Sequence, residues 1–360
     1  SFLIMGKLAV QKYFSFTILI VTVLLMVFTI TGLFGGDVNP AGNTARAMLV
    51  YALPLLIAGN VVLLIYWCIM RRWHWALIPL ITILCCIPYS TTLYKFGSTD
   101  EGNSKSGIKI ATSNVAMFSR ETSGFIAQDI LAEMKRQKVD IACFQEYNDQ
   151  SGDRKNSDSY KEYFPYMARG ESDMVIYSRY PITNFKNLNF EMTNNSAMWA
   201  EIKVGEETYR VYNAHLETTG INRTLHKAGK LINQGMEVES NALFRAIYGN
   251  YTLGMIARAG QANILAMDMR ESEVPIIVCG DFNDVPYSYV YNTMLGDKVD
   301  GFKECGSGWM YTFRGGNKKV RIDYIFHDKS LEGVTYYRRD LTYSDHFPVF
   351  MKIATPASAK

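Results

Sequence analysis

The sequence predicts an α+β sandwich carried behind three apolar helices, each long enough to cross a bilayer. Three observations predict it. Residues 1–93 contain five basic side chains (Lys7, Lys12, Arg46, Arg71, Arg72) and one acid, Asp37. The rest of the chain alternates short β-type runs with turns and a few helical patterns. Acids, amides and histidines stand where those apolar runs stop.

The membrane segment comes first. Phe14–Phe34 and Met48–Met70 hold no charge, and Trp75–Tyr94 is apolar with a hydroxyl-rich end. Each reaches the roughly 20 residues that a hydrocarbon core requires. A signal peptide does not fit the first run, because two more follow and no small-residue cleavage site intervenes. Basic residues set the topology. Lys7 and Lys12 precede the first run, and Arg71 and Arg72 fill the turn between the second and third. The loop Gly35–Ala47 balances one Arg against one Asp. The positive-inside rule therefore puts the N-terminus and the Arg71–Arg72 turn in the cytoplasm and the folded domain outside it. In a Gram-negative cell that means an inner-membrane protein facing the periplasm. Trp67, Trp73 and Trp75 flank the turn as interfacial aromatics do. The chain opens on Ser, and Met5 is read as a native start. The expected domains are a membrane anchor over 1–94, a linker over 95–106, a folded domain over 107–354 and a tail over 355–360.

Charge narrows the partners. The formal net charge is +3, from 37 basic and 34 acidic side chains. Taking away the five and one of the N-terminal part leaves 32 and 33, so the folded domain is near −1. A protein that tracks nucleic acid along its surface shows a basic excess, and this domain does not. The apolar runs carry almost no charge, which argues against an ion or substrate path through the membrane. Six cysteines show no metal-type spacing, and three in the folded part cannot form a paired framework, so they are read as plain buried thiols.

The folded part reads as follows. Ser98–Gly107 is polar and rich in Gly and Ser, a short tether. Ile108–Val115 is a strand, and Ser123–Gln137 an amphipathic helix with Phe125, Ile126, Ile130, Leu131 and Met134 at helical spacing. Asp140–Phe144 is a buried strand. Asp173–Ser178, Met198–Val204 and Thr208–Ala214 are further strands. Asn241–Met269 is helical with a break expected at Gly249 or Gly260. Pro275–Cys279, Arg321–Phe326 and Pro348–Ile353 complete the set.

The chemistry sits at the strand ends. Asn114 closes the first strand in ATSNVAMF, and Glu146 follows the buried strand in DIACFQEY. Asn213 and His215 end another in VYNAHLETT. Asp281 and Asn283 follow the most apolar strand in IIVCGDFNDVP. Asp323 lies in RIDYIF, and Asp345 and His346 precede the last strand in YSDHFPVF. Singly, each could be a turn or capping residue. Together they form an oxygen-rich set with two histidines, which suits a hard cation such as Mg²⁺ better than Zn²⁺.

The motifs TSNVAMF, FQEY, YSRYPI, NAHLET, GDFNDVP, RIDYIF and SDHFPV together resemble the endonuclease/exonuclease/phosphatase (DNase I-like) superfamily over about residues 107–354. That superfamily includes DNase I-like nucleases, inositol polyphosphate 5-phosphatases, neutral sphingomyelinases and tyrosyl-DNA phosphodiesterases. The resemblance implies a four-layer α/β sandwich and Mg²⁺-dependent hydrolysis of a phosphate ester by in-line water attack, with Mn²⁺ as a substitute metal. It implies that Glu146 holds the metal, that Asn114 supports the metal or the phosphate, and that Asp345 sits near the metal. Asp281 would orient and deprotonate the water, and Asn283 would contact the scissile phosphate. His346 would bond a phosphate oxygen with its tautomer fixed by Asp323, and His215 would be a second phosphate ligand.

Substrate is less well marked. Thr219–Gly254 follows His215 and carries Arg223, His226, Lys227, Lys230 and Arg245. It reads either as a lid that selects the substrate or as a solvated helical connection, with Asn213 and Arg223 as candidate substrate-binding residues. Lys318, Lys319 and Arg321 form a second basic cluster, a phosphate contact or a charged turn. The leading expectation is a phosphodiester of a lipid or other membrane-proximal substrate, with the bilayer as partner. The alternatives are a membrane-anchored nuclease acting on DNA or RNA, and an inactive binding domain on an anchor.

Overall fold

The computed structural model describes residues 2–98, 106–116, 127–147, 161–171, 173–191, 193, 195–234, 236–237, 239–315, 319–341 and 344–355, without the side chains of 2–11, 221–223 and 226. The expected start of the amphipathic helix at 123–126, most of the tether, Lys318 and residues 356–360 of the tail lie outside the described residues. The chain divides into two units: residues 1–91 with 287–289, and the rest.

The first unit is helical: α1 (Phe2–Leu33), α2 (Thr44–Ile69), α3 (Trp73–Cys85) and α4 (Ile87–Ser90). Two stretches, Lys12–Leu33 and Thr44–Ile69, are long and apolar enough to cross a membrane. Only 22% and 17% of their most apolar windows are buried in the protein, and Phe14, Phe16, Leu24, Val62 and Ile65 face outward. The polar groups point inward instead. Asn60 Nδ2 donates to Thr29 Oγ1 at 2.9 Å, and Trp67 Nε1 donates to Thr22 Oγ1 at 3.0 Å. A methyl on Gly32 would come within 3.0 Å of Leu53, so small and polar residues join α1 to α2 as they do in lipid. The third apolar run forms no single 20-residue helix. α3 has 13 residues and stops at Cys86, because Pro88, at the start of α4, has no N–H to continue the ladder.

The second unit begins at Thr92, ahead of the expected tether. Strand β1 (Tyr94–Lys95) pairs with a distant strand (Gly308–Trp309). Arg321, read above in a basic cluster, is fully buried here. It bonds Asp300 at 2.6 and 2.8 Å and the Thr92 carbonyl at 3.0 Å, so it is a structural tie and not a phosphate contact.

Among the described residues, two six-stranded mixed sheets follow. One is built from β2 (Gly107–Asn114), β3 (Ile141–Gln145), β4 (Tyr166–Arg169), β5 (Val175–Ser178) and two late strands (Glu332–Arg338 and Val349–Ala354). The other contains β6 (Ile182–Asn189), β7 (Ser196–Val204), β8 (Glu207–His215), β9 (Ile276–Asp281), β10 (Val299–Asp300) and a strand over Asp323–His327. In chain order the remaining strands are β11 (Gly308–Trp309), β12 (Asp323–His327), β13 (Glu332–Arg338) and β14 (Val349–Ala354).

Side-chain alternation builds the layers. Ile108 and Ile110 of β2 and Ile277 and Cys279 of β9 meet in one core between the sheets. Their neighbours face outward. Ala111 packs with Ile130, Leu131 and Met134 of α5 (Ala127–Arg136). Ile276 and Val278 pack with Ala262, Leu265 and Met269 of α7 (Ser240–Arg270), which follows α6 (Ile221–Asn233). The order helix, sheet, sheet, helix is the four-layer sandwich. Helix α7 runs unbroken through Gly249 and Gly260, where a break was expected. Neither glycine has a neighbour within 4 Å of its missing side chain, so each costs only about 1 kcal/mol of helix propensity.

Candidate active site

The two sheets bring their polar strand ends to one place. Parallel pairing of β8 with β9 sets His215 opposite Asp281, and antiparallel pairing of β9 with β12 sets Asp281 opposite Asp323. Three chemically active side chains thus lie in one row across three strands. The facing sheet contributes Asn114 at the end of β2 and Glu146 just past β3. The segment entering β14 contributes His346, which Ser344 fixes. Ser344 Oγ accepts from His346 N and donates to the Asn114 carbonyl, both at 3.0 Å.

Asp281 is the hub. It is 1% exposed, and its Oδ1 accepts from Asn283 N at 2.8 Å. Its Oδ2 accepts from Asn114 Nδ2 at 3.1 Å and from Asn283 Nδ2 at 3.3 Å. His346 Nε2 stands 3.7 Å from that oxygen and His215 Nε2 4.0 Å from it. Burial pushes the Asp281 carboxyl up and Asp323 adds to the rise, while His346 and His215 oppose it. Asp281, Asp323 and His346 are the described trio whose ligand atoms lie within 4.8 Å of one another.

His346 Nδ1 lies 3.1 and 3.2 Å from the Asp323 oxygens, and the Phe313 ring packs on it at 4.9 Å. Burial would lower its basicity, but the Asp323 and Asp281 carboxylates outweigh burial and push the imidazole up to about 10. The ring is therefore imidazolium at neutral pH, with Nδ1–H committed to Asp323 and Nε2–H aimed at the hub. Asp323 is itself anchored, since Thr312 Oγ1 accepts from Ile322 N and Asp323 N, both at 3.0 Å.

Glu146 and Asn283 both adopt left-handed backbone, with φ 52° and 51°. Asn tolerates that conformation, whereas Glu pays of order 1–3 kcal/mol for it. The turn brings Glu146 Oε1 to 3.6 Å from His215 Nε2 and 3.1 Å from Asn114 Nδ2. Asn114 thus meets Glu146 and Asp281 as a donor that holds two carboxylates. Its oxygen accepts from Ala116 N at 2.9 Å, which fixes the amide with its donor side toward the two carboxylates. Asp345 is exposed beside Gly315 and acts on His346 through its charge.

Asn213 corrects another expectation. It is fully buried between the sheets, where Nδ2 donates to the Phe144 and Val175 carbonyls at 3.0 and 3.2 Å. Its oxygen accepts from Gln145 Nε2 at 2.6 Å. No group is left for a substrate, so Asn213 ties one sheet to the other. Asn213→Ala would strand these partners. It is expected to lower unfolding stability by about 2–4 kcal/mol, read from denaturant midpoints, and to leave KM unchanged. The Arg223 side chain lies outside the described atoms.

Three contributors escaped sequence reading. Asp173, just before β5, feels both His215 and Glu146, and burial is the main cause of its raised carboxyl pKa. Arg258 of α7 is buried and braces the loop after Asp281, donating to Asp284 Oδ2 at 3.2 Å and to the Glu217 carbonyl at 3.0 Å. Phe313 covers His346. None stands in a strand-end motif that marks it.

The geometry defines a hydrolytic site: a buried carboxylate hub, a carboxylate-held imidazolium, a second histidine and a partly exposed Glu. The groups free to meet a cation are carboxylate oxygens with no thiolate among them, which fits a hard divalent cation. The model of the Endonuclease/Exonuclease/phosphatase family matches residues 111–346, and the chain belongs to that family, whose members are metal-dependent hydrolases of phosphate ester bonds. A second model, a domain of unknown function (DUF8431), matches residues 14–93. No curated protein matches the chain. Among solved structures, a humanized D. rerio TDP2 carrying 14 mutations is similar with TM-score 0.51 and 16% identity, over 69% of this chain and 99% of that one. Mannosyl-6-phosphatase of Bacteroides thetaiotaomicron gives 0.47 and 16%, over 69% and 100%. Sphingomyelinase C of Streptomyces griseocarneus gives 0.42 and 14%, over 69% and 99%. At 16% identity the likeness to the first of these is one of fold.

Proposed function

We propose that the protein is a membrane-anchored, Mg²⁺-dependent phosphodiesterase acting on a lipid or other membrane-proximal phosphate ester. The observation that carries the hydrolytic part is the row His215–Asp281–Asp323 with His346 closing on Asp281. The outward-facing apolar surfaces of α1 and α2 support the membrane part. The positive-inside argument supports a cytoplasmic N-terminus and an extracytoplasmic catalytic domain. The near-neutral domain charge favours a membrane-proximal ester over bulk nucleic acid.

In this reading Asp281 orients the attacking water and takes its proton. Burial raises the basicity of its carboxylate for that task. Asn283, whose Nδ2 donates to the Leu216 carbonyl at 2.9 Å and to Asp281 Oδ2 at 3.3 Å, exchanges the longer of these bonds for the phosphoryl group. His346 donates Nε2–H to a phosphoryl oxygen, while Asp323 fixes the orientation of the ring and offsets its charge. His215 supplies a second donor from the opposite strand. Glu146, with Asp345 at the rim, would hold the divalent cation, which polarises the phosphoryl oxygen and offsets charge developing on it.

The test offers the full-length protein in detergent phospholipid vesicles, sphingomyelin vesicles, plasmid DNA and a soluble aryl phosphodiester. Head-group release that EDTA stops and Mg²⁺ restores is the expected result. DNA nicking without lipid turnover would replace this reading with a nuclease. No turnover of any of the four would overturn it.

A further inference from the structure

Helix α6 and the first half of α7 stand out from the sandwich as an element whose described side chains are largely uncovered. Between residues 221 and 253, Ala228 is the one buried side chain among those described. From Gly254 onward α7 packs normally, through Met255, Ala259, Ala262 and Leu265. The outer part leaves Leu225, Ile232, Phe244 and Tyr248 exposed, with Phe244 at 69%. Phe244 and Tyr248, one turn apart, stack at 6.5 Å and 20°. Asn250 Nδ2 donates to Thr224 Oγ1 at 2.8 Å and braces the two helices as a hairpin. An apolar patch of this kind on a rigid element marks an interaction surface.

Charge selects the partner. Lys227, Lys230 and Arg245 are exposed on the same hairpin. Neither α6 nor α7 contains an acid before Asp268, and Glu237 and Glu239 are confined to the connection between them. Basic residues beside exposed Leu, Ile, Phe and Tyr are the composition of a helix that lies in a membrane interface. We propose that the α6–α7 hairpin docks on an anionic lipid surface. Its apolar side chains enter the headgroup–acyl boundary, and Lys227, Lys230 and Arg245 meet lipid phosphates. The proposal rests on the membrane reading above, since α1 and α2 are what keep a bilayer at hand.

Docking there would couple to the active site. Glu217, Thr218, Thr224, Lys227 and Leu253 line a cavity of about 830 Å³, and the Glu217 carbonyl accepts from Arg258, the residue that braces the loop after Asp281. A hairpin seated in the interface would turn this cavity toward lipid head groups.

The experiment uses the full chain with p-benzoylphenylalanine replacing Leu24, Phe185 or Phe244, one at a time. Each protein is reconstituted in phosphatidylcholine vesicles with and without phosphatidylglycerol, irradiated and analysed by mass. Lipid adducts are expected at 24 in both vesicles and at 244 chiefly with phosphatidylglycerol, and none at 185, an exposed control on β6. The triple change Lys227→Glu, Lys230→Glu, Arg245→Glu should cut the yield at 244 by about fivefold or more and spare that at 24. Adducts at 24 without any at 244 would overturn docking and leave the anchor standing. So would equal yields at 185 and 244, or a cross-link from 244 to a second copy of the chain. Loss of the adduct at 24 alone would instead overturn the anchor, and loss at both would overturn both.

Discussion

Asp281→Asn should lower kcat for phosphate-ester hydrolysis by about 10²–10⁴-fold with little change in KM. The amide keeps the size of the carboxylate and can still accept from Asn283 N. It cannot take a proton from water. It also removes the charge that His346 and His215 face at 3.7 and 4.0 Å. A drop confined to KM would mean that Asp281 binds substrate without acting on the water. Circular dichroism should show the fold intact with a somewhat lower unfolding midpoint, because the new amide nitrogen faces the Asn114 and Asn283 donors, each of which keeps one other acceptor, Glu146 Oε1 and the Leu216 carbonyl.

The second large effect is expected from Asp323→Asn. It should reduce kcat by about 10²–10³-fold and change how His346 titrates. In the native protein Asp323 and Asp281 hold this imidazole up at about 10, against an ordinary value of 6.5. Without the Asp323 charge, burial gains ground and the midpoint falls. Imidazole nitrogen resonances in metal-free protein would read the shift directly. The same pair carries a stability signature. The folded-state value is raised, so its contribution is fully present below pH 6.5 and is lost as pH rises through about 10. Stability of the metal-free protein should therefore fall across that window, and Asp323→Asn should flatten the fall. An unchanged titration would mean that Asp323 does not set the state of His346.

The strands that carry chemistry were legible because they are buried on both faces and read as apolar runs that stop at polar residues. Ile276–Asp281 is buried throughout, and its sequence says so. Strand β6 was not legible, because most of its length is exposed and Ile182–Asn189 has no apolar period. The family motifs named the site residues but not their register. That His215, Asp281 and Asp323 share one row follows from pairings between strands far apart in the chain. Asn213 shows how a right neighbourhood gives a wrong role. It lies two residues before His215 and so points to the same face. One row deeper, however, that face is the core between the sheets, where an amide must satisfy backbone and not substrate. Asn114 differs again, because its place at a strand end was legible and its donor role depends on the Glu146 turn at positive φ. The break expected in α7 failed because Gly249 and Gly260 weaken a helix without supplying anything that ends it.

The most direct test of metal-dependent hydrolysis at this site is a Mg²⁺ activation curve for the full-length protein beside Glu146→Gln, with one phosphodiester at saturation. The wild type should fall silent in EDTA and recover on Mg²⁺. The variant should need about 10–100-fold more Mg²⁺ to reach half its maximum. Hydrolysis that persists in EDTA, or a variant with the activation curve of the wild type, would contradict a metal held by Glu146.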